Sequence, residues 1–213
     1  MLYLRQLTLG PMKNFIYLVG SPDSPEVVAV DPAWDAFAIE AAAAKDGKRL
    51  AAIWLSHHHY DHLNAVDELL KRHDVPIYVQ AREHDFSEDV RFGDAVKKVG
   101  PDEELTVGGL SLRCLLTPGH TPGSQCLLAR GALVSGDTVF VDHCGRCDFE
   151  GSDPAQMFDS LHRVLGQLPD STVLYPGHDY GAVPVSSLER ERKVNPYFLA
   201  DTLPKFLARR GGG

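Results

Sequence analysis

The spacing of apolar residues sorts this chain into short strands with a helix after every few of them. Residues 2–9 alternate apolar and polar, and Gly10-Pro11 turns the chain. Residues 15–19 and 27–30 are compact apolar runs with β-branched and aromatic members, which predicts buried strands; Asp31-Pro32 ends the second. The Ala-rich stretch 34–46 predicts a helix that stops at Gly47, and residues 50–55 a further buried strand. Leu63, Val66, Leu69 and Leu70 share one helical face, so 61–72 reads as a helix and 75–79 as the strand after it. Residues 81–102 are charged and weakly periodic and read as a surface crossing with one helical turn.

The second half repeats the plan. Residues 105–106, 110–116, 125–129 and 132–135 are strand-like and broken by glycines. Asp153-Pro154 predicts a helix start, with Asp as N-cap and Pro at the first helical position. Phe158, Leu161, Val164, Leu165 and Leu168 make its apolar stripe. Residues 172–175 read as a last strand, 187–194 as a helix rich in Glu and Arg, and Gly211-Gly212-Gly213 as a frayed end. Two successive β-rich units, each ending in helices, predict an α/β fold with two sheets face to face and helices outside. No Pro-, Ser- or Gly-rich linker divides the chain, so one domain over 1–213 is expected.

With 44% apolar and 23% charged residues, the chain can bury a core without a disulfide or metal to hold it together. A formal charge of −8, from 21 basic and 29 acidic residues, argues against a nucleic-acid partner. No run reaches the roughly 18 apolar residues of a membrane span, and the N-terminus lacks a signal-peptide pattern. On that reading Cys114, Cys126, Cys144 and Cys147 are reduced thiols and the location is cytoplasmic. The sequence carries no assembly signal, and no oligomeric state is assigned.

Residues 56–62, Ser-His-His-His-Tyr-Asp-His, directly follow the strand at 50–55. So many titratable groups at one strand end are costly unless a cation neutralises and orders them. Three more such groups follow other strands on Gly- or Pro-shaped loops: His120 within 117–123, Asp137 after Ser135-Gly136, and His178 after Pro176-Gly177. His57 and His59 lie two apart, so in an extended segment both rings point the same way, while Asp61 and His62 open the next helix and face a neighbouring position. Seven candidate ligands then divide between two divalent ions. His57, His59 and His120 supply one, Asp61, His62 and His178 the other, and Asp137 bridges. A water shared by two such ions becomes hydroxide near neutral pH and attacks a carbonyl, with Asp61 placed to orient it and move its proton. Zinc is the first expectation, with iron or manganese as alternatives.

In that order, His57-x-His59-x-Asp61-His62 followed by His120, Asp137 and His178, the chain resembles the metallo-β-lactamase superfamily. The resemblance implies an αββα sandwich of two mixed sheets with the metals at one edge. It also implies that Asp31, closing an early strand, supports the ligands without binding metal. Ser56 stands where the family usually has Thr. Residues 10–15, 117–123, 144–149 and 189–196 are similar to the glyoxalase II (hydroxyacylglutathione hydrolase) branch, in its short bacterial form. That branch hydrolyses S-D-lactoylglutathione, so the resemblance implies a small-molecule thioester or glutathione-linked substrate, with Arg146 and Tyr180 contacting its thiol part. Asp148 departs from the long form, which has an aromatic residue there, and no separate C-terminal glutathione-binding helical domain is recognised. The alternative is a persulfide dioxygenase on the same fold, holding a single iron at the positions of His57, His120 and Asp137. A third reading is a non-catalytic metal-binding protein.

His58, His73, His84, His143 and His162 read as ordinary surface or core histidines, His58 because it points away from its two neighbours. Cys144-Gly145-Arg146-Cys147 has redox-motif spacing but lies in a loop instead of opening a helix, so its expected role is packing.

Overall fold

Two six-stranded sheets face each other across an apolar interior, as the short buried runs predict. The structure is a computed structural model and describes residues 1–210, so the glycine run expected to fray lies outside it. In the first sheet β1 (Tyr3–Leu9), β2 (Asn14–Gly20) and β3 (Glu26–Val30) form an antiparallel meander. Helix α1 (Ala36–Lys45) crosses back and lets β4 (Arg49–Trp54) lie parallel to β3. Asp35 sets where α1 begins, its side chain accepting from the Ala38 amide at 2.9 Å. Two short helices, α2 (Tyr60–Leu63) and α3 (Val66–Leu70), lead to β5 (Ile77–Gln80). Helix α4 (Ala81–Phe86) leads to β6 (Val96–Val99), and β4, β5 and β6 run parallel.

The second sheet starts with the antiparallel run β7 (Glu103–Val107), β8 (Leu110–Leu116), β9 (Gln125–Ala129) and β10 (Ala132–Val134). A small hairpin, β11 (Val139–Phe140) and β12 (His143–Cys144), leads to α5 (Pro154–Asp159). Strand β13 (Val173–Tyr175) then pairs parallel with β10, and β14 (Ser186–Ser187) closes the edge. Helices α6 (Leu188–Val194) and α7 (Leu203–Arg210) follow.

The layers follow from three apolar clusters. Phe15, Tyr17, Val28 and Trp54 of the first sheet meet Leu110, Leu112, Leu127 and Val134 of the second. Ile39, Val66 and Leu69 cover the outer face of the first sheet at Ile53 and Ile77. Met157, Leu161, Leu165 and Phe206 cover the second at Leu133 and Leu174. The order helix, sheet, sheet, helix is the expected αββα sandwich of two mixed sheets.

Three expectations change. The helix read over 61–72 is two pieces, because Asn64 Oδ1 accepts from the Trp34 amide at 2.6 Å and the Ala65 amide donates to Pro32 O at 3.3 Å. The loop after β3 thus holds the break, and α2 is set by its neighbours more than by helical periodicity. The segment 81–102 is not a surface crossing. It carries α4, two single turns and an edge strand, and Glu83 within it is fully buried. Strand β6 escaped notice because exposed Lys97 and Lys98 interrupt any apolar period. In the third helix stripe Met157, Leu161 and Leu165 are fully buried, whereas Phe158, Val164 and Leu168 are only partly so. A wider π turn over Ser160–Val164 rotates the face that the sequence period assumed.

All four cysteines are free, and among the described residues no helix is long and apolar enough to cross a membrane. Trp54 is the largest fully buried side chain and its indole N–H points to Cys114 Sγ at 3.3 Å. Trp54→Ala is expected to lower unfolding stability by about 3–5 kcal/mol in a denaturant titration. A loss below about 1 kcal/mol would contradict the packing of the two sheets through this ring.

Candidate metal centre

One edge of the sandwich collects the loops that follow β4, β8, β10 and β13, and these carry all seven residues singled out by their positions after strands. His57 and His59 leave β4 in extended backbone, so their rings fall on one side. His57 Nε2 lies 3.1 Å from His59 Nδ1, and His120 Nε2 lies 2.9 Å from the same atom. Asp61 and His62 sit in the first turn of α2 and meet His178. The His62 and His178 Nε2 atoms are 3.1 Å apart, with Asp61 Oδ2 at 3.6 and 3.4 Å from them. Asp137 stands between the two groups. Its Oδ2 is 3.5 Å from His120 Nε2, and its Oδ1 is 3.3 Å from His62 Nε2 and 3.5 Å from His178 Nε2.

These donors fit cations. Three nitrogens on one tetrahedral zinc with bonds of about 2.0–2.1 Å lie roughly 3.3 Å apart, close to the spacings here. Neutral imidazole nitrogens with lone pairs converging at about 3 Å repel unless a cation or proton lies between them. Asp137 Oδ1 is buried and accepts no hydrogen bond, an expensive state for a carboxylate oxygen unless a cation takes it. The chain therefore holds a His/Asp metal-binding cluster made of two donor triads.

The surrounding hydrogen bonds settle which nitrogen faces inward. His120 Nδ1–H donates to Arg146 O at 2.7 Å, and His178 Nδ1–H to Met12 O at 3.0 Å. His62 Nδ1–H donates to Asp31 Oδ2 at 3.0 Å. Ser56 Oγ–H donates to the same oxygen at 2.5 Å, which leaves Oγ to accept from His57 Nδ1 at 2.9 Å. Each of these four rings is thus fixed with a bare Nε2 toward the cluster. Asp31, His57 and His62 also offer donor atoms near one another. Asp31, however, meets His62 at the Nδ1 side, away from the cluster, so its place is that of a hydrogen-bond acceptor. Its φ of 48° lies in the left-handed region, and the strained backbone aims the carboxylate at Ser56 and His62.

Burial and four neighbouring imidazoles push His57 well below the ordinary histidine range, and the same causes take His59 down to about 4. His120 is lowered too, chiefly by burial. His62 goes the other way. Burial disfavours its charge, but Asp137, the Asp31 hydrogen bond, and the charges of Asp31 and Asp61 outweigh burial and raise it to about 9. Burial alone would raise Asp137, yet the charges of His62 and His178 hold it well below the carboxylate range. Without a metal the cluster's proton therefore resides on His62.

Two residues that the sequence did not single out hold this arrangement. Asn14 Nδ2 donates to Asp61 Oδ2 at 2.8 Å and to Asp61 O at 2.9 Å, and Asn14 Oδ1 accepts from Trp34 Nε1 at 2.7 Å. Glu83 ties two metal loops together. It accepts from the His58 amide at 2.8 Å, His58 Nδ1 at 2.6 Å, Thr121 Oγ1 at 2.8 Å and the Gly123 amide at 2.7 Å. His58 thus turns away from its neighbours, as expected. Nothing in the local pattern around Asn14 or Glu83 signals these roles, because both depend on contacts far along the chain.

The cluster opens into a cleft of about 590 Å³, a size suited to a small ligand. Met12, Phe140, Phe149 and Tyr180 line its walls. Tyr180 stacks on His178 with ring centroids 4.5 Å apart and planes at 8°. Arg146 also lines the cleft, but its guanidinium grips Asp148 at 2.9 and 2.7 Å and lies over the Phe149 ring. Cys144 is buried in the wall and accepts from Arg210 at 2.7 Å, a packing role as expected.

The sequence profile of the metallo-beta-lactamase superfamily matches residues 9–178. The probable polyketide biosynthesis zinc-dependent hydrolase PksB of Bacillus subtilis is 33% identical over 194 residues, covering 91% of this chain and 85% of that protein. A hydroxyacylglutathione hydrolase of Alkalilimnicola ehrlichii is 44% identical over 169 residues, 78% of this chain and 62% of that protein. Among solved structures, ETHE1 from Myxococcus xanthus superposes with a TM-score of 0.87 at 29% identity, covering 99% of this chain and 90% of that one.

Because a metal must displace the His62 proton, the affinity of the metal-free protein for zinc is expected to rise about tenfold per pH unit between pH 7 and 8. The gain levels off as pH passes the value of about 9 reached by His62. Zinc affinity that does not change with pH, measured by competition with a chelating dye of known pH dependence, would remove His62 from the ligand set.

Proposed function

The chain belongs to the metallo-beta-lactamase superfamily, and on that footing we propose that it is a hydrolase of small-molecule thioesters of the S-D-lactoylglutathione kind, using two divalent ions. Zinc is the first choice for both positions, with iron or manganese as alternatives. The observation that carries this reading is Asp137, with one carboxylate oxygen toward each donor triad. His57, His59 and His120 would hold one ion, and Asp61, His62 and His178 the other. The hydrolase names of PksB and the Alkalilimnicola ehrlichii protein support the reaction class.

Bound ions at these positions lower the pKa of a shared water toward about 7 and polarise the thioester carbonyl. The chain's own residues supply the rest. Asp61, fixed by Asn14 and lining the cleft, orients the water and takes its proton. The water oxygen adds to the acyl carbon, the carbon–sulfur bond breaks, and the thiol leaves toward the aromatic wall. Tyr180, stacked on His178, and Arg146 stand on the side where that thiol arm would lie. A persulfide dioxygenase would need a single iron at His57, His120 and Asp137 alone, which leaves His59, Asp61, His62 and His178 gathered without a use.

Metal analysis joined to an assay in an oxygen electrode separates these readings. About two ions per chain and thioester hydrolysis in the absence of oxygen are expected. One iron per chain with oxygen uptake on glutathione persulfide would replace the hydrolase reading. Inactivity toward both substrates would make the chain a metal-binding protein.

A further inference from the structure

The cleft walls are mostly apolar, and among the described residues that line it Arg146 is the only one with a fixed positive charge. That charge is already taken. Asp148 accepts from Arg146 Nε at 2.9 Å and from an Arg146 terminal nitrogen at 2.7 Å, the two-pronged geometry that a substrate carboxylate would otherwise receive. Phe149 backs the pair, its ring centroid 4.5 Å from the guanidinium carbon. The ring therefore limits the directions in which the guanidinium can swing. Beyond Phe149 a second depression of about 440 Å³ carries Glu88, Asp89 and Glu150, so that flank of the mouth is anionic. Asp61 and Asp137 add negative charge at the floor. A thiol arm bearing carboxylates meets no unpaired cation on this path, while an uncharged arm meets Met12, Phe140, Phe149 and Tyr180.

We propose that Asp148 is a specificity-determining residue: by occupying Arg146 it sets the cleft for thioesters whose thiol arm carries no carboxylate near the sulfur. This rests on the thioester hydrolase reading. The pair is solvent-exposed, with side chains 65% and 61% accessible, so its influence is a selectivity of a few fold and not an absolute barrier. It also weakens with salt, because exposed charges are screened over roughly 10 Å at 0.1 M ionic strength.

The test compares kcat/KM for the same acyl group on N-acetylcysteamine, which is uncharged, and on glutathione, which carries two carboxylates, using the metal-loaded full chain. The wild type is expected to favour the uncharged ester. Asp148→Asn, which leaves Arg146 unpaired, is expected to shift the ratio toward the glutathione ester on the order of threefold at low salt. The shift should shrink as salt is raised, which a loss of fold would not produce. Arg146→Ala, which leaves the Asp148 carboxylate bare, is expected to move the ratio the other way, mainly through KM for the glutathione ester. If the wild type hydrolyses both esters and Asp148→Asn leaves their ratio unchanged at low salt, the inference is wrong while the hydrolase reading stands. If the wild type hydrolyses neither, the hydrolase reading fails and the inference goes with it.

Discussion

Burying five imidazoles and two carboxylates at one edge of a sandwich is the constraint that the local structure answers. Each group lost hydration on folding, and no set of hydrogen bonds among themselves can satisfy them all. Asp137 makes the arrangement workable because its two oxygens address two separate triads, so one carboxylate balances both. Close approach around it demands residues without side chains. A Cβ on Gly145 would lie 1.8 Å from Asp137 O, and one on Gly177 would lie 2.5 Å from Asp137 Oδ1. The glycines of these loops are thus a consequence of the site as much as of turn geometry.

Rigidity at the edge comes from two buried carboxylates that face away from the cleft. Asp31 anchors Ser56 and His62 from behind, and Glu83 fastens the His58 loop to the loop that carries His120. Backbone carbonyls of Met12 and Arg146 complete the orientation of His178 and His120. Four of the five rings therefore reach the cluster already in the tautomer a cation requires. Pre-orientation of this kind reduces the cost of reorganising ligands when an ion arrives.

The residues gathered at the cluster were legible because their signal is local and simple. His57 and His59 obey the two-residue period of an extended chain, and His120, Asp137 and His178 each follow a strand on a Gly-shaped loop. The sheets were legible for the same reason, through short apolar runs. What escaped reading depends on distant contacts. Glu83 lies in a stretch as charged as any exposed loop, yet its partners are 25 to 40 residues away. The break between α2 and α3 is imposed by the loop at Pro32 and Trp34, and no propensity at Asn64 or Ala65 announces it. Strand β6 is an edge strand with lysines outward, where a protein guards an open edge and erases the pattern used to find it.

The account's central claim is that Asp137 joins two ion positions. A crystal structure of the zinc-loaded protein, with anomalous scattering recorded on both sides of the zinc edge, tests it most directly. Two peaks roughly 3.5–4 Å apart are predicted, each within bonding distance of a different Asp137 oxygen. A single peak bound by His57, His120 and Asp137, with His62 and His178 directed elsewhere, would contradict it.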